Sequence, residues 1–128
     1  MIVAGVGCRQ GAPAPDIEAA IRAALARANI AVDALGAVAT IVAKRSEVGI
    51  QAAAARLGVA VILVSEADIK AASERAATRS ERVLALMGVP SVAETAALAA
   101  AGPSARLLGP RLAVGAATCA LAVADASS

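Results

Sequence analysis

Three clusters of residues in this chain could do chemistry. The first is Gly5-Val6-Gly7-Cys8-Arg9-Gln10-Gly11, where a thiol and a guanidinium stand in a glycine-rich turn straight after the apolar run Ile2 to Val6. A strand, a tight turn and a helix start in succession leave backbone N–H groups and a helix dipole aimed at one spot, which receives anions. Arg9 adds a full positive charge there, so the turn suits a ligand bearing carboxylates or phosphates. The glycine spacing, Gly5-x-Gly7-x-x-x-Gly11, is longer than the dinucleotide fingerprint, and Pro13 and Pro15 intervene before the helix. NAD is therefore a poor fit. The same glycines also suit a plain strand-to-helix turn that needs a positive φ.

The second cluster is Thr40-Ile41-Val42-Ala43-Lys44-Arg45-Ser46-Glu47. In a parallel sheet the carboxyl ends of neighbouring strands face one crevice, so Lys44 and Arg45 can join Arg9 there. Ser46 reads as a helix cap and Glu47 as a first-turn acid that suits the dipole. Lys44 is different, because a cation at a helix N-terminus opposes the dipole and wants another reason. The third cluster is Gly88-Val89-Pro90-Ser91-Val92-Ala93-Glu94. Ser91 and Glu94 fit a capping box, and Glu94 is alternatively a catalytic carboxylate. Cys8 reads as a small hydrophobe at a strand end, or as a nucleophile that would need a neighbouring cation.

What is missing narrows the chemistry further. The chain has no histidine, which removes Ser-His-Asp and Cys-His machinery and most zinc or haem ligation. With only two cysteines, Cys8 and Cys119, a thiolate metal site is not expected either, and the composition calls for no metal and no cofactor. Both thiols are expected free, in a reducing cytoplasm. Twelve basic and ten acidic residues give a net charge of +2, too balanced for a nucleic-acid surface. The absence of Phe, Tyr and Trp also removes the stacking platforms that single strands need. A mean hydropathy of +0.75 hints at a membrane. Yet the longest uncharged stretch, Leu112 to Ala124, is well short of the roughly 20 residues that span a bilayer. Alanine, close to a third of the residues, inflates the index. No basic segment precedes the apolar start, which argues against a secretory signal.

Positioning these clusters requires a framework of alternating elements. Ile2–Gly7 reads as a strand and Asp16–Asn29 as a helix with Ile17, Ile21, Ala24, Leu25 and Ala28 on one face. A second strand is expected over Val38–Ala43, then a helix from a Ser46 cap to Leu57, stopped by Gly58. Val59–Val64 reads as a strand buried on both faces, and Ser65 caps a short helix. A helix follows over Thr78–Gly88 with Ser80 as its cap. Another starts within Val89–Glu94 and stops at Gly102-Pro103. Arg106–Leu112 and Ala117–Ala124 form an antiparallel hairpin. The expected fold is α/β: a single domain over 1–128, with a mixed, mostly parallel sheet of about five strands, helices on both faces and a C-terminal antiparallel hairpin.

The three clusters, in this order, resemble one family. GVGCRQG, TIVAKRSE and GVPSVAETAAL, with the terminal hairpin, are similar to the cobalamin biosynthesis family that comprises CobE and the C-terminal part of CbiG, the cobalt-precorrin-5A hydrolase. The first motif is carried by Gly5, Gly7, Cys8, Arg9 and Gly11; the second by Thr40, Lys44 and Glu47; the third by Gly88, Val89, Val92, Glu94, Ala96, Ala97 and Leu98. Where the family often has Pro-Lys in the hairpin, this chain has Pro110-Arg111. The resemblance spans nearly the whole chain, as a stand-alone copy of that C-terminal part.

The resemblance implies a role in building the corrin ring, with a precorrin or corrinoid tetrapyrrole as ligand and other cobalamin-pathway enzymes as partners. A cleft holding Arg9, Lys44, Arg45 and Arg111 would suit the acetate and propionate carboxylates around such a ring. The ligand-binding set it implies is Gly7, Cys8, Arg9, Gly11, Thr40, Lys44, Arg45, Glu47, Ser65, Val89, Ser91 and Glu94. If the protein instead opens a ring lactone, as CbiG does, Glu47 or Glu94 would be the general base and Arg9 or Lys44 would stabilise the oxyanion.

Overall fold

The computed structural model describes residues 1–79, 92–102, 105–109 and 111–124. Of the expected helix Thr78–Gly88, residues 80–88 lie outside these residues. Among the described residues six strands run β1 (Ile2–Cys8), β2 (Leu35–Ile41), β3 (Ala60–Val64), β4 (Arg106–Leu107), β5 (Leu112–Val114) and β6 (Ala117–Val123). Four helices, again among the described residues, accompany them: α1 (Ala14–Arg27), α2 (Val48–Leu57), α3 (Glu66–Arg79) and α4 (Val92–Ala101). The sheet order is β3-β2-β1-β6-β4, with β5 also paired to β6. The β3, β2 and β1 pairings are parallel, while every pairing made by β6 is antiparallel, so the sheet is mixed and parallel only in that half.

Hydrophobic period explains the layers. Ala4 and Val6 of β1 join Val38, Cys119 and Leu121 beneath the Ile17, Ile21 and Leu25 face of α1 and Ile50 of α2. Val3 points the other way, with Ala39 and Val64, toward Ala96 of α4. The crossovers β1-α1-β2 and β2-α2-β3 step in one direction across the sheet. Uniformly right-handed connections therefore place both helices on one face. The chain then passes to the opposite face, where α4 packs on β1, β6 and β2 and also against α3. Helices on both faces and the terminal hairpin match the expected class.

Gly5 is what lets α4 approach. A Cβ at this position would overlap the Ala93 carbonyl oxygen and come within 2.7 Å of the Ala97 nitrogen and 2.8 Å of the Ala97 Cβ. Ala93, Ala96 and Ala97 of α4, each at most 1% exposed, complete that close contact. Small residues here substitute backbone proximity for the aromatic bulk the chain lacks.

Several boundaries differ from the sequence reading. The second strand starts at Leu35 and ends at Ile41, three residues earlier at its start than Val38, because the short 3₁₀ turn Val32–Ala34 feeds it directly. Val42–Lys44 is a second 3₁₀ turn. Helix α2 begins at Val48 with Glu47 at its N-cap, so Ser46 is not the cap. β3 is an edge strand, not one buried on both faces: Leu63 is 42% exposed. Its apolar run reflects strand propensity more than burial. Finally, α3 is not short; it continues unbroken through Thr78 to Arg79.

Candidate functional site

Parallel pairing brings the carboxyl ends of β1 and β2, at Cys8 and Ile41, to one edge of the sheet. β6 runs antiparallel to β1, with Cys8 opposite Ala117, so the turn between β5 and β6 arrives at that same edge. Between these segments lies a cleft of about 430 Å³. Its walls are Gly7, Cys8 and Arg9 from the first turn, Ile41 and Lys44 from the second, Val92 at the start of α4, and Ala113 and Gly115 to Thr118 from the hairpin. Most of this surface is apolar or backbone, and Arg9 and Lys44 supply its cationic side chains. Among the described residues neither side chain is engaged with a carboxylate.

Backbone hydrogen bonds join the walls. The Arg9 N–H donates to the Ala116 carbonyl at 3.0 Å, and the Ala12 N–H closes the turn on the Arg9 carbonyl at 3.1 Å. The Thr118 hydroxyl donates to the Gly7 carbonyl at 3.2 Å. On the far side of the turn, the Gly11 N–H donates to Glu47 Oε1 at 2.8 Å. Glu47 thus spends its carboxylate on the first turn and makes no side-chain cap on its own helix. With Gly11 and Ser46 it lines a separate hollow between the starts of α1 and α2.

Cys8 is half-buried in the cleft wall, and that desolvation raises its thiol above the ordinary value; the nearby Lys44 charge opposes the rise and Glu47 adds to it. Cys119 lies fully inside the core, where burial pushes it up to about 12. Both cysteines are free.

The remaining expected site residues fall elsewhere. Thr40 is completely buried, and its hydroxyl donates to the Val6 carbonyl at 2.8 Å. Its hydroxyl serves the sheet beneath the cleft, and Thr40 is not among the residues that line it. Ser65 accepts the Asp68 N–H at 3.2 Å, as a cap of α3. Arg45 is exposed and does not line the cleft. Glu94, 5% exposed in the first turn of α4, faces Arg111 with a closest approach of 3.9 Å, so Arg111 is turned toward a carboxylate and is not a cleft cation. Val89 and Ser91 lie outside the described residues. The sequence reading missed the hairpin wall, Ala113 to Thr118, whose place beside β1 depends on a strand pairing more than a hundred residues apart. Gly115 was its visible signal, as a turn residue between two strand-like runs.

Among the described residues no helix is long and apolar enough to cross a membrane, and no group of three His, Cys, Asp or Glu could hold a metal ion.

The molecule is thus a small α/β domain of mixed sheet with a cleft at the strand ends, walled by its own C-terminal hairpin. Residues 2–122 match the family described as cobalamin synthesis G C-terminus, and the chain belongs to that family. It is 38% identical over 121 residues, 94% of this chain and 79% of the relative, to protein CobE from a Sinorhizobium species. Cobalamin biosynthesis protein chiG from Agrobacterium tumefaciens is 42% identical and superposes with a TM-score of 0.79, covering 98% of this chain and 99% of that one. The crystal structure of CobE, a protein from the cobalamin (vitamin B12) biosynthetic pathway, is 34% identical with a TM-score of 0.80, over 95% and 89% of the two chains.

Proposed function

We propose that this cobalamin biosynthesis protein binds a carboxylate-rich precorrin or corrinoid intermediate in the cleft at the ends of β1 and β2, and passes it between enzymes of the pathway in the cytoplasm. The observation that carries the reading is the pair of cations, Arg9 and Lys44, lining one cleft without a carboxylate partner among the described residues. A macrocycle ringed by carboxylates supplies counterions for both. Its apolar body fits the wall made by Ile41, Val92 and Ala113. Gly7 and Cys8 complete the contact surface, and Arg45 adds positive potential outside it.

Titration of the protein with hydrogenobyrinic acid, followed by visible absorbance, tests this reading. The chain has no Trp, Tyr or Phe, so the pigment is read against almost no protein background. A saturable spectral shift is expected, and R9A and K44A should each weaken it about tenfold, as loss of a charge-assisted bond does. Absence of any shift overturns the reading for this ligand.

A second reading is a hydrolase that opens the ring lactone. It is favoured by the burial of Glu94 two residues after Val92, which lines the cleft. Glu94 or Glu47 would take a proton from water as its oxygen attacks the lactone carbonyl, and Arg9 or Lys44 would stabilise the tetrahedral oxyanion. Its collapse would break the acyl C–O bond of the ring, the departing alkoxide taking the proton back to give an acid and an alcohol. Turnover retained in the E47Q/E94Q double variant rules this mechanism out.

A further inference from the structure

We propose that Asp16 is the positioning residue of the cleft: it never meets the ligand, but sets where Arg9 stands. This rests on the binding reading above. Asp16 sits in the first turn of α1 and is absent from the cleft lining, yet its Oδ2 accepts the N–H of Ala116 at 3.1 Å, one hundred residues away. The carbonyl of that same Ala116 accepts the Arg9 N–H at 3.0 Å. Ala116 is therefore held on one side by a carboxylate and holds, on the other, the backbone of a cleft cation.

Gly115 shows that the chain makes room for this contact. It adopts a φ of 56°, and a Cβ there would come within 2.5 Å of Asp16 Oδ2 and 2.8 Å of Asp16 Cγ. A glycine at this place in the turn thus meets two requirements, the left-handed backbone and the space for the carboxylate. A carboxylate accepting a backbone N–H is stronger than a neutral acceptor, and this bond fixes the backbone of the turn itself, where the packing of β5 and β6 on α1 holds only side chains. Without it the hairpin wall can move, and the Arg9 amide bonded to that wall moves with it. Groups that orient a binding residue tighten binding without touching the ligand.

Three variants and two measurements test this. D16A removes the acceptor, D16N keeps an acceptor oxygen, and G115A drives a methyl group into the carboxylate. With hydrogenobyrinic acid as probe, at a temperature where all variants are folded by circular dichroism, D16A and G115A should bind about tenfold more weakly and D16N within about twofold of the unaltered protein. In the ligand-free protein, amide exchange of Arg9 should accelerate in D16A and recover in D16N, while the core amides of Ala4 and Val38 stay protected. If D16A is only less stable, with unchanged affinity and unchanged Arg9 exchange, Asp16 merely fastens the hairpin and the proposal is overturned. If the unaltered protein binds no corrinoid acid, the binding reading fails. The exchange of Arg9 then still decides whether Asp16 positions it.

Discussion

The Glu47 carboxylate and the Gly11 backbone N–H meet at 2.8 Å across thirty-six residues of sequence. One side chain thereby ties the turn after β1 to the turn after β2, the two segments that carry Arg9 and Lys44. Glu47 pays no attention to its own helix, whose N-cap has no side-chain bond. The spacing between the two cations is thus coupled to a carboxylate that stands behind the cleft.

Removing that tie should be measurable as stability. E47A leaves the Gly11 N–H to water and is expected to cost about 1 kcal/mol, the net worth of one such bond. E47Q retains an acceptor oxygen and should cost less than half as much. Urea unfolding with an unchanged m-value checks both. Equal stability of E47A and the parent would show that the bond contributes nothing to folding.

Thr40 gives a contrasting expectation, because its hydroxyl is buried. Past Gly5 and Ala39, the last registered pair between β1 and β2, its bond to the Val6 carbonyl continues the link between the strands. T40V keeps the volume but strands that carbonyl on its β2 side, so a loss of about 1–2 kcal/mol is expected. T40S keeps the bond and loses a buried methyl group. Because Thr40 is sealed from the cleft, T40V should bind a corrinoid acid as well as the parent when both are folded. A tenfold weaker titration of folded T40V would restore Thr40 to the ligand's surroundings.

The contrast between Thr40 and Arg9 shows how much of the site could be read from sequence. Residue type and local pattern were enough to find the two turns, since glycines and unpaired cations signal themselves over a few residues. Local pattern also gave α1, its buried Ile17, Ile21 and Leu25, and the terminal hairpin. It could not separate Thr40, whose hydroxyl is taken up by the Val6 carbonyl, from Lys44, which lines the cleft, because that bond depends on the pairing of β2 with β1, which local pattern does not show. Nor could it place the hairpin beside β1 or find Asp16, as both depend on contacts made across the length of the chain. β3 misled for a different reason: an apolar run is equally compatible with a central strand and with an edge.

Gly5 is the position where a single methyl group should do most harm. The Ala93 and Ala97 backbone stands where its Cβ would go, and backbone cannot yield as a flexible side chain can. G5A should force α4 off β1 and cost about 3 kcal/mol, the upper end for overpacking a core. Since α4 carries Val92 into the cleft, weaker ligand binding should accompany the lower melting temperature. A G5A protein with parental stability would mean that α4 does not sit this close.

Cys119 makes stability depend on alkaline pH, with a sign that follows from its burial. Its thiol is pushed from an ordinary value of 9.0 to about 12 in the folded protein, mainly because the core cannot solvate a thiolate. Above pH 9 the unfolded chain releases this proton while the folded chain keeps it. The unfolded state then binds fewer protons, and stability must fall as pH rises, by about 1.4 kcal/mol per unit from this group until the folded value is reached. Below pH 9 both states hold the proton and the group contributes no slope. Other groups also titrate in alkali, so the clean measurement is the difference between the parent and C119A in urea unfolding at pH 7, 8, 9.5 and 10.5. That difference should shift steadily against the parent between the last two points and stay flat below pH 9. A difference that is constant across all four would show that the Cys119 thiolate is tolerated inside the fold.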